Sequence, residues 1–180
     1  MKIIIFSIFI LITIAITVPG QDMSKEPETV KLVDLKRYAG LWYEIAKIPN
    51  RFQKDCVKGT TAEYKLRDDG KITVINSCTE QDGSRKSTEG VAKVVDPATN
   101  SKLEVSFFSI LGIRPFWGDY WIIGLDDNYE FAVIGDPKRK YGWILSRTPR
   151  LPEEKLKTAL EILKQRGYNP ENFEFTDQKK

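Results

Sequence analysis

Residues 60–76 read "TTAEYKLRDDGKITVIN". Ala62, Tyr64 and Leu66 alternate with Thr61, Glu63 and Lys65, and Ile72, Val74 and Asn76 alternate with Thr73 and Ile75. A period of two belongs to strands, because successive side chains point to opposite faces. Between the two runs stands Arg67-Asp68-Asp69-Gly70, a tight turn whose glycine tolerates positive φ. The stretch is a β-hairpin, and the chain on both sides follows its pattern.

Upstream, "GLWYEIAKIPNRF" (40–52) puts Trp42, Glu44 and Ala46 on one face before Pro49 breaks the strand. Downstream, "STEGVAKVV" ends at Asp96-Pro97, and "SKLEVSFF" sets Leu103, Val105 and Phe107 together. "GDYWIIGL", "YEFAVIG" and "YGWILSRTP" follow, the last with Tyr141, Trp143, Leu145 and Arg147 on one face. These make eight strands joined mostly by short turns, the spacing of an all-β sandwich or barrel. The pattern changes once. "LPEEKLKTALEILKQRG" has Pro152 at its start, Glu153 and Glu154 in its first turn, and Leu156, Ala159, Leu160 and Leu163 at helical spacing up to Gly167. That single apolar stripe packs on the outside of the sheet. "NFEF" is a short ninth strand, and Asp34 caps a brief helical turn before the first strand.

The 180 residues suffice for one domain with its own core. Residues 1–20 differ from the rest: Lys2, then a mainly apolar, uncharged run to Val18, then Pro19 and Gly20. This is the order of an export signal, and cleavage is favoured over a retained membrane anchor because the run is shorter than the ~20 residues that span a bilayer comfortably. The expected organisation is a signal at 1–20, a polar tail at 21–33, one domain over 34–176 and a tail at 177–180. Export means the periplasm or the outer membrane in a bacterium, and secretion elsewhere. The formal charge of +3 falls by one with Lys2, too mild a balance for a nucleic-acid partner. Histidine is absent, which excludes a Ser-His-Asp or Cys-His site and removes the commonest metal ligand. No metal or cofactor is expected. In an oxidising compartment Cys56 and Cys78 pair by default. Counting outward from the turn leaves them about three residues out of register, which a bulge can absorb.

"YAGLWYEIAK" (38–47), "IIGLDDNYEFAVI" (122–134) and "WILSRTP" (143–149) fall in the order and spacing of the lipocalin family, most closely its bacterial and apolipoprotein D branch. The resemblance runs from about Leu32 to Phe175 and implies an eight-stranded antiparallel up-and-down barrel with a C-terminal helix. It also implies roles. Gly40 and Trp42 form the plug of the closed end, Arg147 lies across the indole, and Asp126 ties the floor, although Leu125 and Asp127 depart from the family's Thr-Asp-Tyr. A barrel of this size holds one small ligand. Parity then gives the lining as Glu44, Ala46, Tyr64, Asn76, Leu103, Val105, Phe107, Tyr141 and Trp143. The same residues also fit a filled core. Glu44 is either a structural hydrogen-bonding group or a ligand contact, and its place one inward step from Trp42 favours the first.

The open end gathers Arg51, Arg114, Lys138 and Arg139 with Phe52, Phe116 and Trp117. An apolar interior under a basic, aromatic rim suits a fatty acid or lysophospholipid. The leading expectation is therefore a non-enzymatic carrier of lipids linked to membrane upkeep. Two alternatives stand beside it. A lipocalin-type isomerase needs a free thiol. A binder of pigment, haem or siderophore, or a receptor ligand, would use the mouth, and "ILGIRPFWG" (110–118) is apolar enough for an exposed loop to meet a membrane.

Overall fold

The computed structural model describes residues 24–179, so the expected signal at 1–20 lies outside the described residues. Nine strands form in chain order: β1 (Gly40–Lys47), β2 (Cys56–Leu66), β3 (Ile72–Glu80), β4 (Arg85–Val94), β5 (Lys102–Ser106), β6 (Gly118–Leu125), β7 (Phe131–Gly135), β8 (Gly142–Ser146) and β9 (Glu174–Phe175). The helices are α1 (Leu35–Tyr38) and α2 (Glu153–Gln165). From β2 to β8 each strand pairs with the next, β8 pairs with β1, and β1 returns to β2. The sheet is thus a closed antiparallel barrel, with β9 added beside β1. The hairpin at 60–76 keeps its register, Tyr64 opposite Val74 and Leu66 opposite Ile72.

Alternation along the strands divides the apolar residues into two layers. One layer, including Trp42, Tyr64, Val74, Leu103, Ile122 and Leu145, fills the lower barrel. The other, including Ile45, Trp121, Ile123, Phe131, Val133 and Ile144, faces outward and is covered by Ala159 and Leu163 of α2. The helical stripe read from the sequence is the cover, and Pro152 sits at the helix N-cap rather than inside the helix.

Both expected tails are built into the barrel. Val30 N–H donates to the Ile122 carbonyl at 3.0 Å and Val33 N–H to Thr99 at 2.8 Å, with the Val33 side chain fully buried beneath the floor. At the other terminus, Gly59 N–H donates to the Asp177 carbonyl, and the Gln178 amide bridges the carbonyls of Glu44 and Thr60. The C-terminal segment so fills the seam where β1 and β2 part.

The β1–β8 ladder slips between Glu44, opposite Leu145, and Ala46, opposite Ile144. Such a bulge reverses the parity of everything after it. Ala46, expected inside, turns out into the layer under α2, and Lys47 turns in opposite Trp143.

Candidate ligand-binding site

The site begins at its floor. Gly40 has φ of 96°, a conformation that L side chains avoid, and turns the chain from α1 into β1 so that Trp42 enters the barrel. The Trp42 indole N–H donates to the Tyr38 carbonyl at 2.8 Å. The Arg147 guanidinium lies 3.8 Å from the indole centroid and donates to the carbonyls of Arg37, Tyr38, Leu41 and Tyr129. Asp126 accepts from the N–H groups of Asn128 and Glu130, and Lys155 of α2 reaches both Asp126 and Glu130. Tyr129 also belongs to the floor: it is buried, accepts from Asp34 N–H, and carries the Arg37 guanidinium over its ring at 4.0 Å.

Above the floor stands a chain of three hydroxyls. Tyr120 is 2.6 Å from Tyr38 and 2.8 Å from Tyr64. Burial raises the ionisation of all three well above the ordinary phenol range, so each stays neutral. Three O–H groups need only two protons for their mutual bonds, which leaves one donor for a further partner.

Glu44 faces inward beside this layer with both oxygens occupied. Oε1 takes the Lys47 ammonium at 3.3 Å and the Thr176 hydroxyl; Oε2 takes the Gln53 amide. Gln53 also accepts from the Trp143 indole N–H at 3.0 Å. The carboxylate thus joins β1, the β1–β2 loop, β8 and the C-terminal segment.

Higher up, the inward face opens. Asn76 lies opposite Ala62 on one side and Thr88 on the other, in line with buried Val74 two residues below. Asn76 and Thr88 are nevertheless exposed. Residues 85–89 of β4 are exposed on both faces and have no β5 partner, so the β3–β4 hairpin stands above its neighbour and Asn76 and Thr88 lie at the open upper end of the barrel, the cup. Val105 lines it partly buried, and Phe107 continues its face. The Phe107 ring lies across Gly90, where an added Cβ would come within 2.6 Å of it. On the opposite wall Trp143 stacks on Tyr141 with centroids 6.2 Å apart, and Phe52 meets Tyr141 at 5.7 Å. This aromatic ladder runs from the rim into the cup. Beside it a groove of about 470 Å³ is lined by Lys47, Asn50, Arg51, Gln53 and Lys54, with Glu174 as its one acid.

The structure therefore brings Glu44, Tyr64, Asn76, Leu103, Val105, Phe107 and Trp143 to the inward face, with Leu103 deep in the packed layer. Tyr141, Phe52 and Arg51 stand at the rim, and Lys138 is exposed on the β7–β8 turn. Arg139 is not at the mouth. Its guanidinium donates to the carbonyls of Arg166 and Lys25 on the outer side, because Asp136 fixes the turn and aims it at the end of α2. Arg114 and Trp117 are not over the cup either, since the β5–β6 loop folds back along the outer wall, where Trp117 packs against Lys93 at 4.3 Å. Tyr120 and Tyr38 were missed. Alternation with Ile122 was a signal for Tyr120; Gln53 and Thr176 lie in irregular segments that carry none.

Cys56 and Cys78 form a disulfide with Cα atoms 5.6 Å apart. The regular ladder sets Thr61 opposite Ser77, and two irregularities in β2 bring Cys56 to the rim pairing with Glu80.

Comparison with known proteins agrees with this architecture. Residues 33–178 match the lipocalin-like domain family. Temperature-induced lipocalin-1 of Arabidopsis thaliana is 43% identical over 157 residues, 86% of this chain and 84% of its own. The outer membrane lipoprotein Blc of Escherichia coli K12 is 40% identical over 146 residues, 81% of this chain and 79% of its own. Mouse apolipoprotein D is 35% identical over 159 residues, covering 84% and 80%. Insecticyanin of the tobacco hornworm Manduca sexta superposes with a TM-score of 0.68 at 27% identity, over 89% of this chain and 87% of that one. With a Gly-x-Trp plug under a guanidinium, a closed eight-stranded barrel and relatives along nearly its whole described length, the chain belongs to the lipocalin family.

Proposed function

We propose that this protein carries an amphiphile, a fatty acid or lysophospholipid, with its tail in the cup and its anionic head at the basic rim. The observation that carries the reading is the aromatic ladder of Trp143, Tyr141 and Phe52 running from the rim into the barrel beside a groove with Lys47, Arg51 and Lys54. Each methylene buried in such a cup contributes about 0.8 kcal/mol, so ten contribute about 8 kcal/mol before the ordering cost of binding. The walls supply aromatic and aliphatic surface through Val105, Phe107, Tyr141 and Trp143. The groove with Lys47, Arg51 and Lys54 has more cations than acids and suits a carboxylate or phosphate head. Glu44 serves by fixing this wall, since its oxygens are already taken.

The carrier reading needs no chemical step. Both cysteines are in the disulfide, which takes away the thiol that the isomerase alternative requires. The same disulfide fits an exported protein working in the periplasm, at an outer membrane or outside the cell. A role in membrane upkeep follows if the cargo is membrane lipid.

Titration with oleate or a lysophospholipid, followed by tryptophan fluorescence, tests this. Trp143 lines the cup and reports entry. Saturable binding that is lost in Asn76→Trp, whose indole fills the cup, supports the proposal. Failure of both amphiphiles to bind, or equal binding by Asn76→Trp, sinks it.

A further inference from the structure

The loop between β5 and β6 does not belong to the cup. Ile110 and Ile113 exchange backbone hydrogen bonds of 2.8 and 2.9 Å, making a miniature hairpin. Its two central residues, Leu111 and Gly112, have φ of 49° and 81°, as a type I′ turn requires. Leucine rarely accepts that conformation, and here it is 98% exposed. Ile113 and Phe116 are 70% and 69% exposed. These are not loose side chains. Arg114 donates to the Ser106 carbonyl at 3.0 Å, the Trp117 indole donates to the Arg114 carbonyl at 2.8 Å, and Phe108 packs against Phe116 at 6.0 Å. A strained, braced turn that holds apolar residues out in water needs an apolar medium to receive them.

Beneath the hairpin lies a groove of about 360 Å³ on the outer wall. Arg67 and Lys71 of the β2–β3 turn and Arg114 of the loop line it, over Val91 and Trp117. The acid paired with them is Asp69, shared by Arg67 at 3.0 Å and Lys71 at 3.6 Å, while Arg114 has no carboxylate partner among the described residues. Three cations against the two carboxylates of the turn, Asp68 and Asp69, leave a net positive charge at the root of an apolar tip.

The geometry points to a second lipid contact, distinct from the cup: the 110–113 hairpin inserts into a bilayer, and Arg67, Lys71 and Arg114 take the headgroups of its anionic phospholipids. An apolar tip flanked by cations is what an interfacial anchor requires, and the attraction falls off within a Debye length. This surface does not depend on cargo in the barrel.

Sedimentation with vesicles of phosphatidylcholine, with and without phosphatidylglycerol, tests the inference. The wild-type protein is expected to bind vesicles that contain phosphatidylglycerol, and less as salt rises. Leu111→Asp should abolish binding. Leu111→Gly keeps the positive φ without strain, so its loss of binding cannot be ascribed to misfolding. Arg67→Gln with Lys71→Gln should weaken the preference for phosphatidylglycerol by about fivefold per cation. Asn76→Trp should dock normally even if it takes up no amphiphile, which separates this surface from the carrier reading. No vesicle binding by wild type, or undiminished binding by Leu111→Asp, overturns the proposal. So does self-association that Leu111→Asp abolishes without any vesicle binding, which would assign the hairpin to a second copy of the chain.

Discussion

Replacing Arg147 by methionine tests the closed end. The guanidinium makes four hydrogen bonds to carbonyls, of which those to Tyr38 and Tyr129 are partly buried and those to Arg37 and Leu41 are exposed. Bonds from a charged donor contribute about 1.5–3 kcal/mol when sheltered, and exposed ones far less, so the two sheltered bonds account for about 3 kcal/mol. Stacking at 3.8 Å over Trp42 adds about 1 kcal/mol. Methionine keeps some packing on the indole and returns about 1 kcal/mol. The net expected loss is about 3 kcal/mol, measured by urea unfolding, with a fall in Tm of about 6–12 °C. Arg147→Lys keeps the charge but lacks the planar fork, and should recover only about 1 kcal/mol. A loss below about 1 kcal/mol for methionine, or full stability for lysine, would refute the reasoning that geometry as well as charge closes the floor.

Glu44→Leu should cost about 3–5 kcal/mol, because it strands the Lys47 ammonium and unpairs Gln53 and Thr176; Glu44→Gln should cost less. A neutral Glu44→Leu in denaturant titration would show that the network carries no stability. In alkali, Tyr38, Tyr64, Tyr120 and Tyr168 should ionise only together with unfolding. Their folded pKa values are raised above the ordinary 10.0, so the stability is complete below pH 10 and declines as pH climbs toward the folded values. Tyrosinate absorbance equivalent to all seven tyrosines developing while circular dichroism stays native would contradict this. Cys56→Ser with Cys78→Ser opens a loop of 22 residues and should lower stability by about 3 kcal/mol in thermal unfolding while leaving the cup able to bind. Loss of binding at temperatures where this variant stays folded would place the disulfide in the site.

The hairpin at 60–76, the barrel and the helix were legible because each follows a strict period. The Trp42–Arg147 pair was legible through the family resemblance. What escaped the reading is what breaks periodicity. One extra residue between Glu44 and Ala46 sends Ala46 out and Lys47 in, and no count of alternation reveals it. Val30 and Val33 are two apolar positions in a polar segment, too few to declare a strand, yet they seal the floor through backbone bonds and burial. Arg114, Trp117 and Arg139 sit in loops, and their placement depends on where the loop folds. Trp117 went to Lys93 and Arg139 to the end of α2. The tyrosine chain needs two strands and α1 to be placed at once; sequence parity gives Tyr64, and alternation with Ile122 points to Tyr120.

The most direct measurement is native mass spectrometry of the wild-type protein and Asn76→Trp after exposure to oleate or a lysophospholipid. The account predicts one amphiphile per wild-type chain and none on Asn76→Trp. An empty wild-type protein, or equal loading of the two, would contradict a carrier whose cargo sits in the cup.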